Sequence, residues 1–277
     1  MGYLCFKFNV TPREPGSEIL AAALGEGNFE SFVFNDNGFE AYVKKTDFND
    51  EVIEKLKRQF PDIAFSYSSE EIKKQNWNKE WEKNFKPVLI ENFCCIRASF
   101  HEAPAPPLMD VLIEPKMSFG TGHHQTTWLM ARALFGLNIK NRAVLDVGCG
   151  TGVLSIIAKK LGSHHVIGVD IDEWSIENSR ENRKANGYGK EAIDFYQGTI
   201  NSIENDTFDY ILANINKNIL LREMTNYVAH MNNGAKLLIS GFFETDCKEL
   251  ISAAEKAGLK QAGKETKNEW AILTFEK

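Results

Sequence analysis

The sequence predicts an α/β protein in which a mostly parallel sheet with an antiparallel C-terminal hairpin follows a small α+β domain. From Ala143 onwards, strand-like and helix-like segments alternate, a pattern typical of a parallel sheet with helices on both faces. Residues 1–67 follow a different order, β-α-β-β-α-β, which is that of a ferredoxin-like unit. A chain of 277 residues has room for both domains.

The composition indicates a globular protein of the reducing cytoplasm. The formal net charge is -6, which disfavours non-specific binding to nucleic acid. The five cysteines are odd in number and lack the spacing of a zinc site, as expected for reduced thiols. No signal peptide opens the sequence, and no apolar run is long enough to cross a membrane. We therefore expect a cytoplasmic protein that binds neither a membrane nor, directly, nucleic acid.

The first predicted domain, residues 1–67, contains four strands and two helices. They are strand 3–9, a helix from Ser17 to about Leu24, strands 29–34 and 39–43, a helix capped by Asn49 and stopped by Pro61, and strand 63–67. Asn37-Gly38 predicts a tight hairpin turn between the second and third strands, because both residues tolerate positive φ. The fold hosts many functions, so it indicates a separate domain and little more.

Residues 68–85 are predicted to form a helical linker. Ser68 and Glu71 have the spacing of a capping box. Trp77, Trp81 and Phe85 recur every four residues and therefore share one helical face. Such a stripe most often packs against a neighbouring domain, although it also suits a hinge or a docking face for a partner.

The second predicted domain, residues 86–277, opens with three short strands and a flexible segment. The strands are 87–90, 93–98 and 109–113, and a helix then runs to about Phe135. The segment 114–127 contains Phe119, Gly120 and Gly122 before the helix N-terminus, where it could close over a carboxylate. It also contains two adjacent histidines, but no third ligand lies at metal-binding spacing, so we expect no metal site.

The remaining segments of this domain predict the main sheet. The strands are 143–147, 166–169, 193–197, 208–213, 235–240, 258–263 and 270–275, and the helices are 153–161, 173–186, 217–229 and 245–257. The ligands of such sheets bind beyond the carboxyl ends of the strands, where the strand order reverses. We therefore expect the functional site at this edge of the sheet.

A glycine loop follows the first of these strands. Gly148, Gly150 and Gly152 come at alternate positions, and a helix begins directly after them. A glycine loop at a helix N-terminus lets the backbone approach an anion or a cofactor closely. The spacing G-x-G-x-G is not the G-x-G-x-x-G of dinucleotide-binding enzymes, so a NAD-dependent dehydrogenase is a weaker alternative. Asp146, just before the glycines, either orders the loop or meets an ammonium group.

Two polar residues lie at strand ends of the same predicted sheet. Asp170 lies 22 residues after Gly148, where an acidic side chain can accept hydrogen bonds from a ribose diol. Asp172 is expected only to cap the following helix. Asn214 ends the strand I-L-A-N, where it serves either as a helix cap or as part of a site. Three polar features at adjacent strand ends favour one shared cofactor site.

These motifs resemble those of a known family. D-V-G-C-G-T-G with an acid after the next strand looks like the S-adenosylmethionine-dependent methyltransferases with a seven-stranded Rossmann-like domain. The segments S-F-G-T-G-H-H-Q-T-T, A-N-I-N, L-L-I-S-G-F and E-W-A-I-L, with the N-x-x-W connector, resemble the ribosomal protein L11 methyltransferase family (PrmA) over nearly the full length. The resemblance implies a protein N-methyltransferase that uses S-adenosylmethionine and acts on lysine ε-amines and the N-terminal α-amine of ribosomal protein L11.

The resemblance also implies roles for individual residues. Thr127, Gly148, Asp170 and Asn214 match the cofactor positions of the family, and Asn214 is the candidate catalytic residue. Together with the glycine loop and the upstream segment, the candidate cofactor-binding set is Phe119, Gly120, Thr127, Asp146, Gly148, Gly150, Asp170 and Asn214. The first domain is implied to recognise the ribosomal protein, and the second to carry the chemistry.

The sequence departs from the family pattern at three places. His123-His124-Gln125 stands where the family usually has Thr-His-Pro after the F-G-T-G, and Ile215-Asn216 stands where related amine methyltransferases often have prolines and an aromatic residue. Gly198-Thr199-Ile200 lies where an adenine contact is expected but lacks the usual acidic side chain.

Two alternatives remain: a methyltransferase acting on another protein or a small amine, and a non-catalytic cofactor-binding module associated with the ribosome.

Overall fold

The structure, a computed structural model, describes residues 2–72, 82, 84–116, 118–204 and 206–277. The chain divides into two compact units, Met1–Trp81 and Glu82–Lys277. The aromatic stripe predicted for the linker includes Trp77 and Trp81, which lie outside the described residues. Within the described ranges, no helix is both long enough and apolar enough to span a membrane.

The first unit contains an antiparallel sheet, which has four strands in the residues that are described. Its elements are β1 (Tyr3–Thr11), α1 (Gly16–Gly25), β2 (Phe29–Asn35), β3 (Gly38–Lys44), α2 (Glu51–Gln59) and β4 (Ala64–Ile72). The strand order is β2-β3-β1-β4, so the first strand lies inside the sheet. Phe6 and Phe8 of β1 are buried in one apolar cluster with Leu20 and Leu24 of α1 and Leu56 of α2. The alternating pattern of the first strand thus supplies one face of this core.

Two predictions for this unit are wrong in detail. The hairpin turns at Asp36 and Asn37, one residue earlier than predicted, and Gly38 already belongs to β3, where it pairs with Asn35. The helix predicted to begin at Ser68 is also wrong there, because residues 68–72 continue β4. They pair with residues 3–7 of β1 in antiparallel register. This pairing satisfies the backbone donors and acceptors of the segment, which a capping-box spacing alone does not predict.

A small sheet precedes the main sheet in the second unit. It consists of β5 (Val88–Ile90), β6 (Cys94–Arg97) and β7 (Met109–Leu112), with β6 between the other two. β5 pairs antiparallel with β6, whereas β7 pairs parallel with it. The sequence pattern predicts these strands individually, and the structure adds that they pair with one another.

The main sheet of the second unit contains seven strands in the described part of the chain. They are β8 (Ala143–Val147), β9 (His165–Asp170), β10 (Ile193–Gln197), β11 (Phe208–Asn214), β12 (Met231–Phe243), β13 (Lys260–Lys267) and β14 (Trp270–Glu276). Their order is β10-β9-β8-β11-β12-β14-β13. β8 to β12 pair in parallel, and β14 runs antiparallel to both of its neighbours. The prediction of a mostly parallel sheet with an antiparallel C-terminal pair is confirmed.

Helices cover both faces of this sheet. They are α3 (Gln125–Leu134), α4 (Val153–Lys160), α5 (Glu173–Ala185), α6 (Lys217–Ala229) and α7 (Cys247–Lys256). Val144 of β8 is buried in a cluster with residues of α3 and α4, whereas Leu145 and Val147 are buried with residues of α6 and α7. A strand that is apolar on both faces belongs at the centre of such a sheet.

The strand order places a crevice at the end of β8. The chain winds outwards from β8 through β9 and β10, and then returns to β11 on the other side of β8. Beyond the carboxyl ends of β8 and β11, the connections therefore diverge in opposite directions. Ligands of open α/β sheets bind at such a point.

The cysteines all lie inside the two units. All five are buried, and none forms a disulfide bond. Burial raises the pKa of the Cys94 thiol to about 12, and it raises that of Cys149 in the glycine loop well above its ordinary value. These thiols are therefore protonated at neutral pH.

Candidate active site

The glycine loop, residues 148–152, follows β8 and leads into α4. Gly148 and Gly150 have φ values of 72° and 52°, which lie in the left-handed region. A Cβ atom on Gly148 would overlap the Ile215 side chain, and one on Gly150 would overlap the carbonyl oxygen of Phe119. Glycine is therefore required at both positions, because of the backbone conformation and because two other segments approach closely.

The backbone donors of this loop bind within the protein. The N–H groups of Gly148 and Cys149 donate to the Val169 carbonyl oxygen at 2.8 and 3.0 Å. The N–H group of Gly150 donates to Oδ2 of Asp170 at 2.9 Å. These bonds fix the loop against the end of β9 without help from a ligand.

The Asp170 side chain bonds to the glycine loop and lies at the crevice beyond the strand ends. Its Oδ2 accepts from Gly150, and its Oδ1 accepts from the backbone N–H of Asp172 at 3.0 Å. A carboxylate offers about four acceptor positions, so positions remain for a ligand. Asp172 itself caps α5, as predicted, by accepting from the N–H of Trp174 at 3.2 Å. The Asp170 carboxylate is thus both a structural acceptor and a group that a ribose diol can reach.

Asp146 lies beneath the loop. Its side chain is buried, and Oδ2 accepts from both the backbone N–H and the hydroxyl of Ser155, at 3.1 and 2.7 Å. Burial raises the pKa of this carboxyl to about 6, although the two hydrogen bonds act in the opposite direction. Of the two roles predicted from the sequence, the contacts support the ordering of the loop and the first turn of α4.

The segment 118–127 packs on the glycine loop through Thr151. The Thr151 N–H donates to the Phe119 carbonyl oxygen at 2.9 Å, and its hydroxyl donates to the Gly120 carbonyl oxygen at 2.7 Å. Gly120 has a φ of 108°, so a side chain would be strained there. The backbone of this segment is therefore joined to the loop, while the side chain of Phe119 is 54% exposed.

The two adjacent histidines serve local structure. Nδ1 of His124 accepts from the N–H of Thr126 at 3.3 Å and so caps α3. Burial lowers the pKa of His124, which favours the neutral ring that this bond needs. Nε2 of His123 lies 2.9 Å from the Lys86 carbonyl oxygen. Among the described residues, no group of three or more His, Cys, Asp or Glu side chains is placed to hold a metal ion.

Asn214 ends β11 and carries a buried acceptor atom. Its Nδ2 donates to Oγ1 of Thr127, a buried residue in the first turn of α3, at 3.4 Å. Its Oδ1 is buried and has no hydrogen-bond partner among the described residues. A buried polar atom left without a partner costs about 1–3 kcal/mol, so a binding role is a natural explanation for it.

A cavity of about 480 Å³ lies beyond the carboxyl ends of β8, β9, β10 and β11. Its size is within the range of small-molecule sites. The wall consists of the glycine loop, the segment 118–119 and the residues that follow each strand. The lining residues are Ser118, Phe119, Val147, Gly148, Gly150, Asp170, Ile171, Asp172, Ser175, Gly198, Thr199, Ile200, Asn214, Ile215, Asn216, Ile219, Arg222, Glu223 and Tyr227.

The cavity separates the candidate residues into two groups. The residues in its wall are Phe119, Gly148, Gly150, Asp170 and Asn214. Three others support that wall without being part of it: Gly120 holds Thr151, Thr127 holds the Asn214 amide, and Asp146 holds Ser155.

Comparison with known proteins identifies the family. The family described as "Ribosomal protein L11 methyltransferase (PrmA)" matches residues 21–277. The chain belongs to this family. A ribosomal protein L11 methyltransferase of Bacteroides fragilis is 40% identical over 280 residues and covers 99% of each chain. One of Porphyromonas gingivalis is 41% identical over 286 residues, covering 99% of this chain and 98% of its own.

A solved structure is similar over the larger part of the chain. The ribosomal protein L11 methylase of Lactobacillus delbrueckii subsp. bulgaricus matches with a TM-score of 0.64 at 25% sequence identity. The match covers 69% of this chain and 98% of that one. Together with the family, this similarity establishes the methyltransferase fold.

Family membership makes the chain a methyltransferase with S-adenosylmethionine as the methyl donor. The described residues fit this cofactor. Gly148 and Gly150 bring backbone without side chains to the cavity wall, and the Asp170 carboxylate in the same wall has acceptor positions left for a ribose diol. The residues that would hold the cofactor are therefore those of the cavity wall.

Sequence reasoning missed one wall of the cavity. Ile219, Arg222, Glu223 and Tyr227 all lie on α6, the helix that begins shortly after Asn214. Three of them recur every four residues, which places them on one face of the helix. That spacing was visible in the sequence, but it is also the spacing of an ordinary core-facing stripe. Only the strand order shows that this face meets the cavity.

Proposed function

We propose that the protein transfers methyl groups from S-adenosylmethionine to lysine ε-amines and the N-terminal α-amine of ribosomal protein L11 in the cytoplasm. The full-length similarity to proteins named ribosomal protein L11 methyltransferase supports this substrate. Within the site, the unpartnered Oδ1 of Asn214 is the observation that carries the proposal. It is a neutral acceptor at the end of β11, directly in the wall of the cofactor cavity.

Asn214 is proposed to orient the acceptor amine. A neutral amine that donates one N–H to Oδ1 is held in one orientation. Its lone pair can then be directed at the methyl group. Thr127 holds the amide of Asn214 in place through the bond to Nδ2. Alignment of two reacting groups in this way can supply roughly 7–11 kcal/mol of barrier reduction.

The chemistry requires little more than alignment and desolvation. S-adenosylmethionine supplies an electrophilic methyl group on a sulfonium. The acceptor must lose a proton, which at pH 7 costs about 4.6 kcal/mol for a lysine of pKa about 10.4 and about 1–1.4 kcal/mol for an α-amine. Removal of a lysine ammonium from water lowers its pKa and reduces this cost. Apolar residues of the wall, among them Val147, Ile215 and Ile219, provide such a setting.

The first unit is proposed to be a ferredoxin-like domain, residues 1–67 extended by the rest of β4, that recognises the ribosomal protein. The order β2-β3-β1-β4 with two helices supports the fold assignment. Its outer strand β2 carries Val33 and Phe34, whose side chains are about half exposed. Exposed apolar groups of this kind suit contact with a protein partner.

Mass spectrometry of purified ribosomal protein L11, before and after incubation with the protein and S-adenosylmethionine, tests the proposal. We expect mass increases in multiples of one methyl group, located by peptide mapping on lysines and the N-terminus. An unmodified L11, with label transferred from radioactive cofactor to another protein of a ribosomal mixture, would identify a different acceptor. Cofactor binding in calorimetry without transfer to any acceptor would identify a non-catalytic module.

A further inference from the structure

One end of the cofactor cavity is lined by two polar residues of α6 whose presence the site described so far does not explain. Glu223 and Tyr227 are four residues apart and therefore lie on the same helical face. Both line the cavity, together with Gly198, Thr199 and Ile200 of the turn that follows β10. This is the turn where the sequence predicts an adenine contact but provides no acidic side chain.

The Tyr227 hydroxyl is a hydrogen-bond donor that lacks an acceptor in the described residues. The residue is completely buried, and its hydroxyl has no hydrogen-bond partner within the described part of the chain. Its ring packs in the apolar cluster with Ile200 and Leu220, which fixes its position between α6 and the turn. A buried hydroxyl without a partner is rare in native proteins, unless a ligand or water completes it.

The Glu223 carboxylate is a hydrogen-bond acceptor that lies beside the same turn. Its Oε1 accepts from Nε of Arg222 at 2.9 Å, and its Oε2 accepts from Nδ2 of Asn226 at 2.7 Å. These bonds, and a weaker one with the Asn201 side chain in the turn, lower the pKa of the Glu223 carboxyl. The carboxylate is therefore ionised at neutral pH and oriented by its neighbours, with acceptor capacity left for a ligand.

We propose that Glu223 and Tyr227 select the adenine base of the cofactor, with the Glu223 carboxylate accepting from the exocyclic amine and the Tyr227 hydroxyl donating to a ring nitrogen. The acidic side chain that is missing after β10 is thus replaced by one from α6, which lies beside the same turn. A base with an oxygen in place of the amine, such as hypoxanthine, places an acceptor against the Glu223 carboxylate, so that two acceptors face each other there. Sites that hydrogen-bond a ligand in this way discriminate strongly against analogues that lack the matching group.

The inference rests on the proposed use of S-adenosylmethionine, so the experiment measures binding rather than turnover. Calorimetry compares two ligands, S-adenosylhomocysteine and its inosine counterpart, on the wild type and on Tyr227→Phe. We expect the wild type to bind the adenine form at least tenfold more tightly. Tyr227→Phe should weaken binding of the adenine form by about 5- to 10-fold, because one neutral hydrogen bond is lost.

A second variant changes the hydrogen-bonding character of the Glu223 side chain. Glu223→Gln keeps the size of the side chain but adds an amide donor that can bind the oxygen of hypoxanthine. We expect its preference for adenine to fall to about one tenth of the wild-type ratio or lower. The matched control is Tyr210→Phe, which removes a tyrosine hydroxyl bonded to the Asn138 carbonyl oxygen and outside the cavity wall. It should leave the base preference unchanged.

The outcomes separate this inference from the cofactor assignment. Equal binding of the two bases by the wild type, or unchanged adenine affinity in Tyr227→Phe, would overturn the inference while cofactor binding stands. Failure of the wild type to bind S-adenosylhomocysteine at all would overturn the cofactor assignment itself. Thermal unfolding without ligand shows that the variants fold, because Tyr227→Phe removes an unpartnered hydroxyl and should not lower the unfolding temperature.

Discussion

The glycine loop and the wall formed by the end of β11 and by α6 differ in how their polar groups are bonded. In the loop, the N–H groups of Gly148, Cys149 and Gly150 all bind protein acceptors. In the wall of β11 and α6, Oδ1 of Asn214 and the hydroxyl of Tyr227 are buried without a partner in the described residues. The bonds of the loop are therefore complete without a ligand, whereas this wall holds atoms left for the ligand and the acceptor. Variants in the loop should damage the site as a whole, and variants in the wall should remove single interactions.

The largest effect should come from Gly150→Ala. The substitution combines a left-handed backbone with overlap of the Phe119 carbonyl oxygen. Strain and displacement together should lower the free energy of unfolding by about 2–4 kcal/mol. Cofactor binding should become undetectable by calorimetry. Gly187→Ala is the matched control, because Gly187 has a φ of 79° but nothing lies within 4 Å of its would-be Cβ. Similar losses in both variants would show that close approach in the loop is unimportant.

Asn214→Ala should have a large effect of a different kind. We expect turnover at saturating cofactor to fall by about 100-fold, as when one preorganised hydrogen bond is removed from an active site. Cofactor affinity should change by less than about threefold, since Asn214 is proposed to act on the acceptor amine. Steady-state kinetics and calorimetry measure the two quantities separately. Equal losses in turnover and affinity would contradict the positioning role.

Asp170→Ala should reduce cofactor affinity rather than turnover at saturation. Hydrogen bonds to a charged group contribute about 1.5–3 kcal/mol, so the dissociation constant should rise by about 10- to 100-fold. The charge-matched control is Asp194→Ala on β10, whose carboxylate pairs with Lys190 and does not line the cavity. An unchanged dissociation constant in Asp170→Ala would exclude the proposed contact with the ribose.

The smallest effect should be the pH dependence of Asp146→Asn. Burial holds the pKa of Asp146 at about 6 in the folded chain, above its ordinary value of 3.8. A raised folded-state pKa contributes stability at low pH that is lost as the pH rises through about 6. The stability of Asp146→Asn relative to the wild type should therefore increase by about 1.4 kcal/mol between pH 5 and pH 8. Urea denaturation at the two pH values measures this difference, and a constant difference would show that the carboxyl titrates normally.

The parts of the fold that follow from local pattern were predictable from the sequence. Strand 143–147 and helix 217–229 have the predicted limits, because a strand that is apolar except at Asp146 and a clear helix start mark their ends. The end of β4 was not predictable, since residues 68–71 are polar and the conformation of residues 68–72 depends on pairing with β1. The hairpin turn was shifted because Asn37-Gly38 satisfies the usual turn preference equally well one residue away.

In the candidate site too, the features that depend on local sequence were predictable, whereas those that depend on long-range packing were not. Gly148, Asp170 and Asn214 could be placed together, because each ends a strand of one parallel sheet. Gly120, Thr127 and Asp146 are also predicted to bind the cofactor, and the structure shows the protein contacts that each of them makes, with Thr151, Asn214 and Ser155 respectively. The α6 wall could not be derived, since the direction in which a helix face points depends on packing against β12 and the turn after β10. A spacing of four residues alone does not distinguish a cavity wall from a core.

The buried thiols have a practical consequence. Because all five cysteines are shielded and protonated, the native chain should react slowly with maleimides. A single introduced cysteine would then be labelled almost alone. Trp174, which is 70% exposed at the start of α5 and next in the chain to Ser175 of the cavity wall, offers such a position. A fluorophore attached to Trp174→Cys would report ligand entry in real time without removing any natural cysteine.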